Sequence, residues 1–451
     1  MAFNYNEELK DASLLINFGG SFLQAFEFEG AKKDISGYRT SAWINTCLTT
    51  SPVYDVVGPD AVKFLNSICV NDFTKLTTKG MRHAILCNDK GQILTDGVCI
   101  RIAEERYRTY WLTPVINYYM EVTDLNVHGE DMTGKEYFIQ IDGEKSLEIL
   151  ENAFEQDLHD IKFATHRQID VDGKKVEVVR LSMSGNLGYE IHGDIAEFDE
   201  IYTKVWETGK KYGATRLGLH NYSFHNHTEA GFPNINLHYP LPWLETSEGM
   251  TKFMVEHPQI SFNNLCRVLR GSVGDDLESR FVTPYETECA SVIRFNHDFP
   301  GKEALQKMAD DPNRRTVVTL EWNADDIGAV FATMFRPGEQ PTDDISGTNE
   351  LEFVENVKNN CFIYKADRVQ ADGKDIGISS GRVVSYYYNS MISLGFIDRN
   401  YAKEGTELTL IWGTPGNKQM PIRVKVAKYP YNSEFVRNQD VDVETIPHYT
   451  K

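Results

Sequence analysis

No cysteine of this chain stands in a C-x-x-C pair. The seven, Cys47, Cys69, Cys87, Cys99, Cys266, Cys289 and Cys361, are scattered and odd in number, which predicts reduced thiols in a cytoplasmic protein and argues against a disulfide frame or a cysteine zinc site. Long apolar runs are missing as well. No stretch approaches membrane-spanning length, and the opening MAFNYNEELKDASLLINFGG is acidic, without the basic region and apolar core of a signal peptide, so neither a membrane span nor a signal peptide is expected. Positive charge is scarce: 46 Lys and Arg stand against 66 Asp and Glu, for a net charge of -20. With no basic run to track a phosphate backbone, nucleic acid is not an expected partner. What remains, 41% hydrophobic and 25% charged residues, is an ordinary soluble globular composition. The 451 residues carry about three domains' worth of core, and nothing in them fixes an oligomeric state.

An internal echo organises the first third. Residues 53 to 57 followed by GPDAVKFL recur as residues 137 to 141 followed, after Asp142, by GEKSLEIL. Each copy reads strand, glycine turn, amphipathic helix, so two related strand-helix units are expected in an α+β region. Between them, residues 83 to 87, 93 to 102 and 107 to 112 read as three strands, the first two joined into a hairpin by Asn88-Asp89-Lys90-Gly91. From about residue 314 the pattern changes to short strands at 316 to 322, 360 to 364, 377 to 388, 393 to 397, 406 to 412 and 422 to 427, as in a β-barrel or small sandwich. Residues 335 to 349, FRPGEQPTDDISGTN, read as a polar surface loop.

The stretch LSMSGNLGYEIHG, residues 181 to 193, carries the main chemical signal. Residues 181 to 184 end an apolar strand, Gly185 and Asn186 turn the chain, and Gly188-Tyr189-Glu190-Ile191 resumes extended alternation. Asp194 then caps a helix whose apolar stripe is Phe198, Ile201, Tyr202, Val205 and Trp206. Glu190 is thereby fixed on rigid structure, where a carboxylate can accept two parallel hydrogen bonds from a flat amidine-like edge. A solvated glutamate at a strand end is the alternative.

This segment resembles the pterin-binding segment of the glycine-cleavage aminomethyltransferase family, which includes tetrahydrofolate-dependent demethylases. PYETECASVIRFNHDFPGKEALQKM, residues 284 to 308, is similar to the family's run of Pro-x-Glu, apolar strand, Asp-Phe-x-Gly and Lys/Arg-Glu-Ala-Leu, and GPDAVKFL after its strand is a third match. Three motifs in order outweigh any one of them. The resemblance implies an α+β fold of duplicated strand-helix units over residues 1 to 313, with a C-terminal β-barrel domain at 314 to 451 closing over the folate.

The resemblance also implies site residues. Glu190 would anchor the pterin, with Tyr189 beside it and Phe232 in the ring-binding wall that follows Glu229-Ala230-Gly231. Asp96 interrupts an apolar strand where the family carries adjacent acids, and would handle a proton on the cofactor side; an aspartate satisfying hairpin backbone is the alternative. Tyr222 matches a tyrosine that faces the leaving oxygen in aromatic O-demethylases, and a phenol suits a departing phenolate; a core tyrosine is its alternative. His220, His225 and His227 cluster near Glu229 but lack the spacing of helical zinc pairs, so no metal is expected. Two departures stand out. Thr49-Thr50-Ser51 replaces a Ser-His-Met-like triplet, and Tyr110-Trp111-Leu112-Thr113-Pro114 offers no arginine for a substrate carboxylate, which argues against an aromatic acid.

The implied activity is transfer of a methyl group from a small donor, an O-methylated aromatic in first place, to tetrahydrofolate, giving 5-methyltetrahydrofolate. Aromatic residues make up 12% of the chain, and Trp43, Tyr54, Trp111, Tyr118, Tyr119, Phe224 and Phe232 stand near the matching segments, where they can line a flat pocket. A glycine-cleavage aminomethyltransferase and a folate-binding protein without turnover are the alternatives, although the Lys-Gly-Cys motif of the latter is absent.

Overall fold

The computed structural model describes residues 6–18, 22–235, 237–261, 266–346, 354–356 and 359–450. Its first part is built on the expected echo. Strand Val53–Val57 leads through Gly58 into helix Ala61–Ile68, and strand Glu136–Asp142 leads through Gly143 into helix Ser146–Phe154. Both glycines take φ 137°. A Cβ there would stand 2.6 Å from the Asn126 carbonyl oxygen in one copy and 2.3 Å from that of Ser41 in the other, so glycine is required twice for the same reason.

Each unit belongs to its own sheet. The first lies in a five-stranded antiparallel sheet with Met81–Cys87, Ile93–Ala103, Arg106–Tyr110 and His128–Asp131. The second lies in a six-stranded sheet, in which Glu136–Asp142 sits between Gly188–Asp194 and Trp43–Asn45. Helices Ser146–Phe154 and Phe198–Lys211 cover one face of that sheet, burying Ile149, Leu150, Phe198, Ile201, Tyr202 and Val205 against Tyr137, Ile139, Ile141, Tyr189 and Ile191. Asp194 caps as expected, its side chain accepting from the Ala196 amide, although the first turn is a 3-10 turn. Residues 181 to 184 are not a strand. Ser182 Oγ and the Ser184 amide donate instead to the buried Asp142 carboxylate, at 2.6 and 3.1 Å, which takes this segment out of any ladder.

Six strands close a barrel in the C-terminal region: Arg315–Trp322, Ser390–Asp398, Lys374–Ser385, Asp367–Ala371, Glu407–Trp412 and Met420–Ala427. Its interior is filled by Leu320, Trp322, Val369, Ile397, Leu410, Trp412 and Val424. Two expectations need correction here. The strand expected at 360 to 364, observed as Asn359–Lys365, stays outside the barrel and runs parallel to Arg267–Arg270; Asp367–Ala371 closes the barrel in its place, and its single fully buried apolar side chain made it inconspicuous. The polar stretch 335 to 349 is not wholly superficial. Ile345 inserts into the barrel core, and Asp343 accepts from Thr414 and Asn417; residues 347 to 349 lie outside the described residues. Cysteine chemistry also departs from expectation: Cys47, Cys69, Cys87, Cys99 and Cys289 are free, but Cys266 is disulfide-bonded. Scattered cysteines carry no pairing signal of their own, because spacing rules cannot tell which residues the fold brings within bonding distance.

Candidate active site

Alternation along Gly188–Asp194 decides which side chains meet. Tyr189 and Ile191 point to the helix-covered face and join its core, so Glu190 and His192 point the other way. Register places Glu190 opposite Gln140 and His192 opposite Phe138, and Asn45 is the next partner of Gln140. This second face packs with Trp43, Val53, Tyr110, Phe138 and Tyr222 between the two sheets. The structure therefore does not bring Tyr189 beside the Glu190 carboxylate: its ring is on the opposite side of the sheet, where two-residue periodicity puts it.

Glu190 is 3% exposed, yet its nearest polar neighbours are distant, with Gln140 Nε2 and His192 Nε2 both at 3.5 Å. Burial raises its pKa to about 8. Among the described residues, Gln140 Oε1, both nitrogens of His192 and Trp43 Nε1 are buried without a hydrogen-bond partner. Burial pushes His192 down to about 4, so it is neutral, and its ring lies 4.3 Å from Phe138 and 5.0 Å from Tyr110, centre to centre. Buried polar groups are ordinarily paired. A carboxylate, an amide, a neutral imidazole and an indole N-H with unspent capacity on one aromatic face are what a flat heterocycle rich in donors and acceptors would satisfy.

Tyr222 faces this group. It lies in a π-helical segment, Asn221–Asn226, a conformation often met at functional sites, and meets Trp43 edge to face at 6.3 Å. Burial holds its phenol proton well above the usual range, and the nearby Cys47, Glu190 and Asp142 add to that. Asp96 lies on strand Ile93–Ala103, on the face it shares with Val98 and Ile100, which pack into the same cluster. Its Oδ2 is 3.3 Å from His83 Nε2. Phe232 is 38% exposed beyond the helix His227–Ala230, and its carbonyl accepts from His227 Nδ1. Of the aromatic residues expected to line a pocket, Trp43 and Trp111 join the Glu190 side. Tyr54, Tyr118 and Tyr119 pack elsewhere, and Phe224 packs against barrel residues. Gln140, His192, Tyr110 and Phe138 were missed. Two-residue steps from Glu190 reach His192, but the other three come from strands whose register no local signal reveals.

The histidine cluster is divided among separate tasks. His220 Nδ1 is 2.7 Å from Glu27, His225 stacks on Tyr386, and Glu229 accepts from Tyr38 and Ser385 at 2.9 and 2.6 Å. Thr49, in the place of the family's triplet, is pinned to the backbone of Phe138 in both directions.

Residues 14–236 match the GCVT N-terminal domain. Over 437 residues the chain is 46% identical to the sesamin methylene transferase of Sinomonas sp. (strain No.22), covering 96% of this chain and 95% of that one. The chain belongs to the GCVT family. It is an enzyme of the transferase class. A second GCVT relative, the syringate O-demethylase of Sphingobium sp. (strain NBRC 103272 / SYK-6), is 27% identical over 435 residues, 90% of this chain and 91% of the relative. The crystal structure of glycine cleavage system aminomethyltransferase T from Bartonella henselae shares the GCVT fold, with a TM-score of 0.66 at 16% identity over 96% of this chain and 98% of that one. The expected α+β architecture with a closed C-terminal barrel is what the chain has. Among the described residues, no helix is long and apolar enough to cross a membrane.

Proposed function

We propose that the chain moves a one-carbon unit from an aromatic ether to tetrahydrofolate, in the cytoplasm, with residues 1–313 holding the folate and residues 314–451 closing over it. The observation that carries this reading is the Glu190 face, a buried carboxylate with long contacts only, beside the unpaired Gln140 Oε1 and the unpaired ring nitrogens of His192, and packed with the cluster that holds Tyr222. The residues fit a reduced pterin: Glu190 would accept from a ring N-H and exocyclic amine, and Gln140 and His192 would complete the polar edge. Tetrahydrofolate, when bound, supplies the nucleophilic nitrogen that accepts the carbon. Trp43, Tyr110 and Phe138 exclude water and present flat apolar surface. Tyr222 gives its phenol hydrogen bond to the departing oxygen, and Asp96 takes a proton on the cofactor side.

The full-length relatives are named for sesamin and syringate, so both methylenedioxy and methoxy aromatics belong in the donor class. The missing arginine at residues 110 to 114 favours an uncharged donor, and the 46% relative favours a methylene unit over a methyl. Aminomethyl transfer is less well supported, since an aminomethyltransferase of Lysinibacillus sphaericus (strain C3-41) matches at 25% identity over 48% of this chain. The test is incubation with tetrahydrofolate and separately with sesamin, syringate and an aminomethyl donor, followed by mass analysis of the folate. A gain of methyl or methylene from an aromatic ether is the expected result. Carbon arriving from the aminomethyl donor alone, or folate that binds unchanged with every donor, overturns it.

A further inference from the structure

Asp96 brings two further groups with it that the transfer above does not use. Cys289 lies between the short helices Pro284–Glu286 and Ala290–Val292, free and partly exposed. Its Sγ is 3.7 Å from Nδ1 of His83 and 3.2 Å from the Thr287 carbonyl oxygen, so the thiol proton has two acceptors. On the other side of the imidazole, Nε2 is 3.3 Å from Asp96 Oδ2. His83 and Asp96 stand on paired strands where His83 opposes Val98 and Ile85 opposes Asp96, which sets them diagonally on one face. Thiol, imidazole and carboxylate in a row is the arrangement that transfers a thiol proton to a histidine and leaves a nucleophilic thiolate.

The surroundings favour a protonated imidazole. Burial alone would lower the pKa of His83, but the Cys289 sulfur and the Asp96 carboxylate raise it to about 10. The other titratable groups near the row are Cys87, Tyr239, Tyr429, Glu288 and His227. Burial raises the pKa of the first four, so Cys87, Tyr239 and Tyr429 keep their protons, and pushes His227 down to about 4, so its imidazole is neutral. Two arginines stand at the edge of this group, Arg437 beside Tyr429 and Arg314 beside Glu288. Cys47, Cys69, Cys87 and Cys99 are buried and their thiols are pushed up.

We propose that Cys289 is an activated thiol, paired with His83 and oriented through Asp96, and that it is this chain's site of covalent modification by soft carbon electrophiles. With an alkyl halide, Sγ attacks the halogen-bearing carbon as the C–S bond forms, halide departs with the electron pair of the broken bond, and the proton that left sulfur stays on His83. The reaction needs neither folate nor a methyl donor, so its outcome is separate from that of the transfer assay. The full chain is treated with limiting iodoacetamide at pH 6, and labelled peptides are followed by mass spectrometry against glutathione as an ordinary thiol. Cys289 should label before Cys47, Cys69, Cys87 and Cys99, and about tenfold or more faster than glutathione. His83→Gln, shown by circular dichroism to be folded, should slow Cys289 labelling by about tenfold or more, with Asp96→Asn slowing it less. Wild-type Cys289 reacting no faster than glutathione, or His83→Gln reacting at the wild-type rate, overturns the proposal.

Discussion

Glu190 illustrates how far one side chain's surroundings fix its behaviour. Its pKa rises from 4.5 to about 8 on burial, so between those pH values the folded chain keeps a proton that the unfolded chain has lost. Stability therefore falls as pH rises through that window, and the full cost is present above it. Glu190→Gln removes the cost, so its melting temperature should rise relative to wild type between pH 5 and pH 8, as a thermal scan at each pH would show. In the proposed site binding reverses the sign, because the ionised carboxylate is the form that would accept from folate: wild-type affinity should climb toward pH 8 while that of Glu190→Gln stays flat. At pH 8 the variant should bind tetrahydrofolate more weakly by about 1.5 to 3 kcal/mol, the worth of a charge-assisted hydrogen bond, measured by calorimetry. In the proposed transfer Tyr222 has a different task, acting only as charge develops on the leaving oxygen. Tyr222→Phe should slow single-turnover transfer by roughly a hundredfold while leaving folate affinity nearly unchanged.

Secondary-structure elements explain what the sequence reveals and what it hides. The strand-helix echo was legible because Gly58 and Gly143 mark the same backbone conformation at the same step of each unit. The helix stripe from Phe198 to Val205 was legible because burial follows helical spacing. Tyr189 was misplaced relative to Glu190 because a one-residue step in a strand crosses the sheet. Gln140 and Phe138 were invisible because their place beside Glu190 depends on which strands pair, and that is decided over separations of about 50 residues; Tyr110 was invisible because it comes from the other sheet, packed face to face with this one. The glycine requirement at the turn can be tested directly: Gly143→Ala would put a Cβ 2.3 Å from the Ser41 carbonyl oxygen at φ 137°. It should cost about 1 to 3 kcal/mol by denaturant midpoint, the range for a strained backbone position, whereas Gly173→Ala, whose Cβ meets nothing within 4 Å, should cost less despite its own positive φ.

At the scale of the whole molecule, the chain after the barrel returns to the strand that carries Glu190. Asn438 donates from its backbone amide to Gly185 and from Nδ2 to Gly188, at 2.9 and 3.1 Å. Its Oδ1 and backbone carbonyl accept from the buried guanidinium of Arg180, at 3.0 and 2.7 Å. Gly188 opens the strand of Glu190, so the tail, the barrel it leaves and the candidate folate face are one mechanical unit tied across about 250 residues of sequence. Asn438→Ala would remove the two side-chain bonds, leaving Arg180 Nε and the Gly188 carbonyl short of a partner. Unpaired buried groups cost about 1 to 3 kcal/mol each, more where one is charged. Asn438→Ala should therefore lower stability by about 2 kcal/mol or more and weaken folate binding, although residue 438 need not touch the ligand. Denaturant midpoints and calorimetric affinity, with exposed Asp440→Ala as the control, would check both. A stable Asn438→Ala variant with wild-type affinity would show that the tail merely rests on the strand.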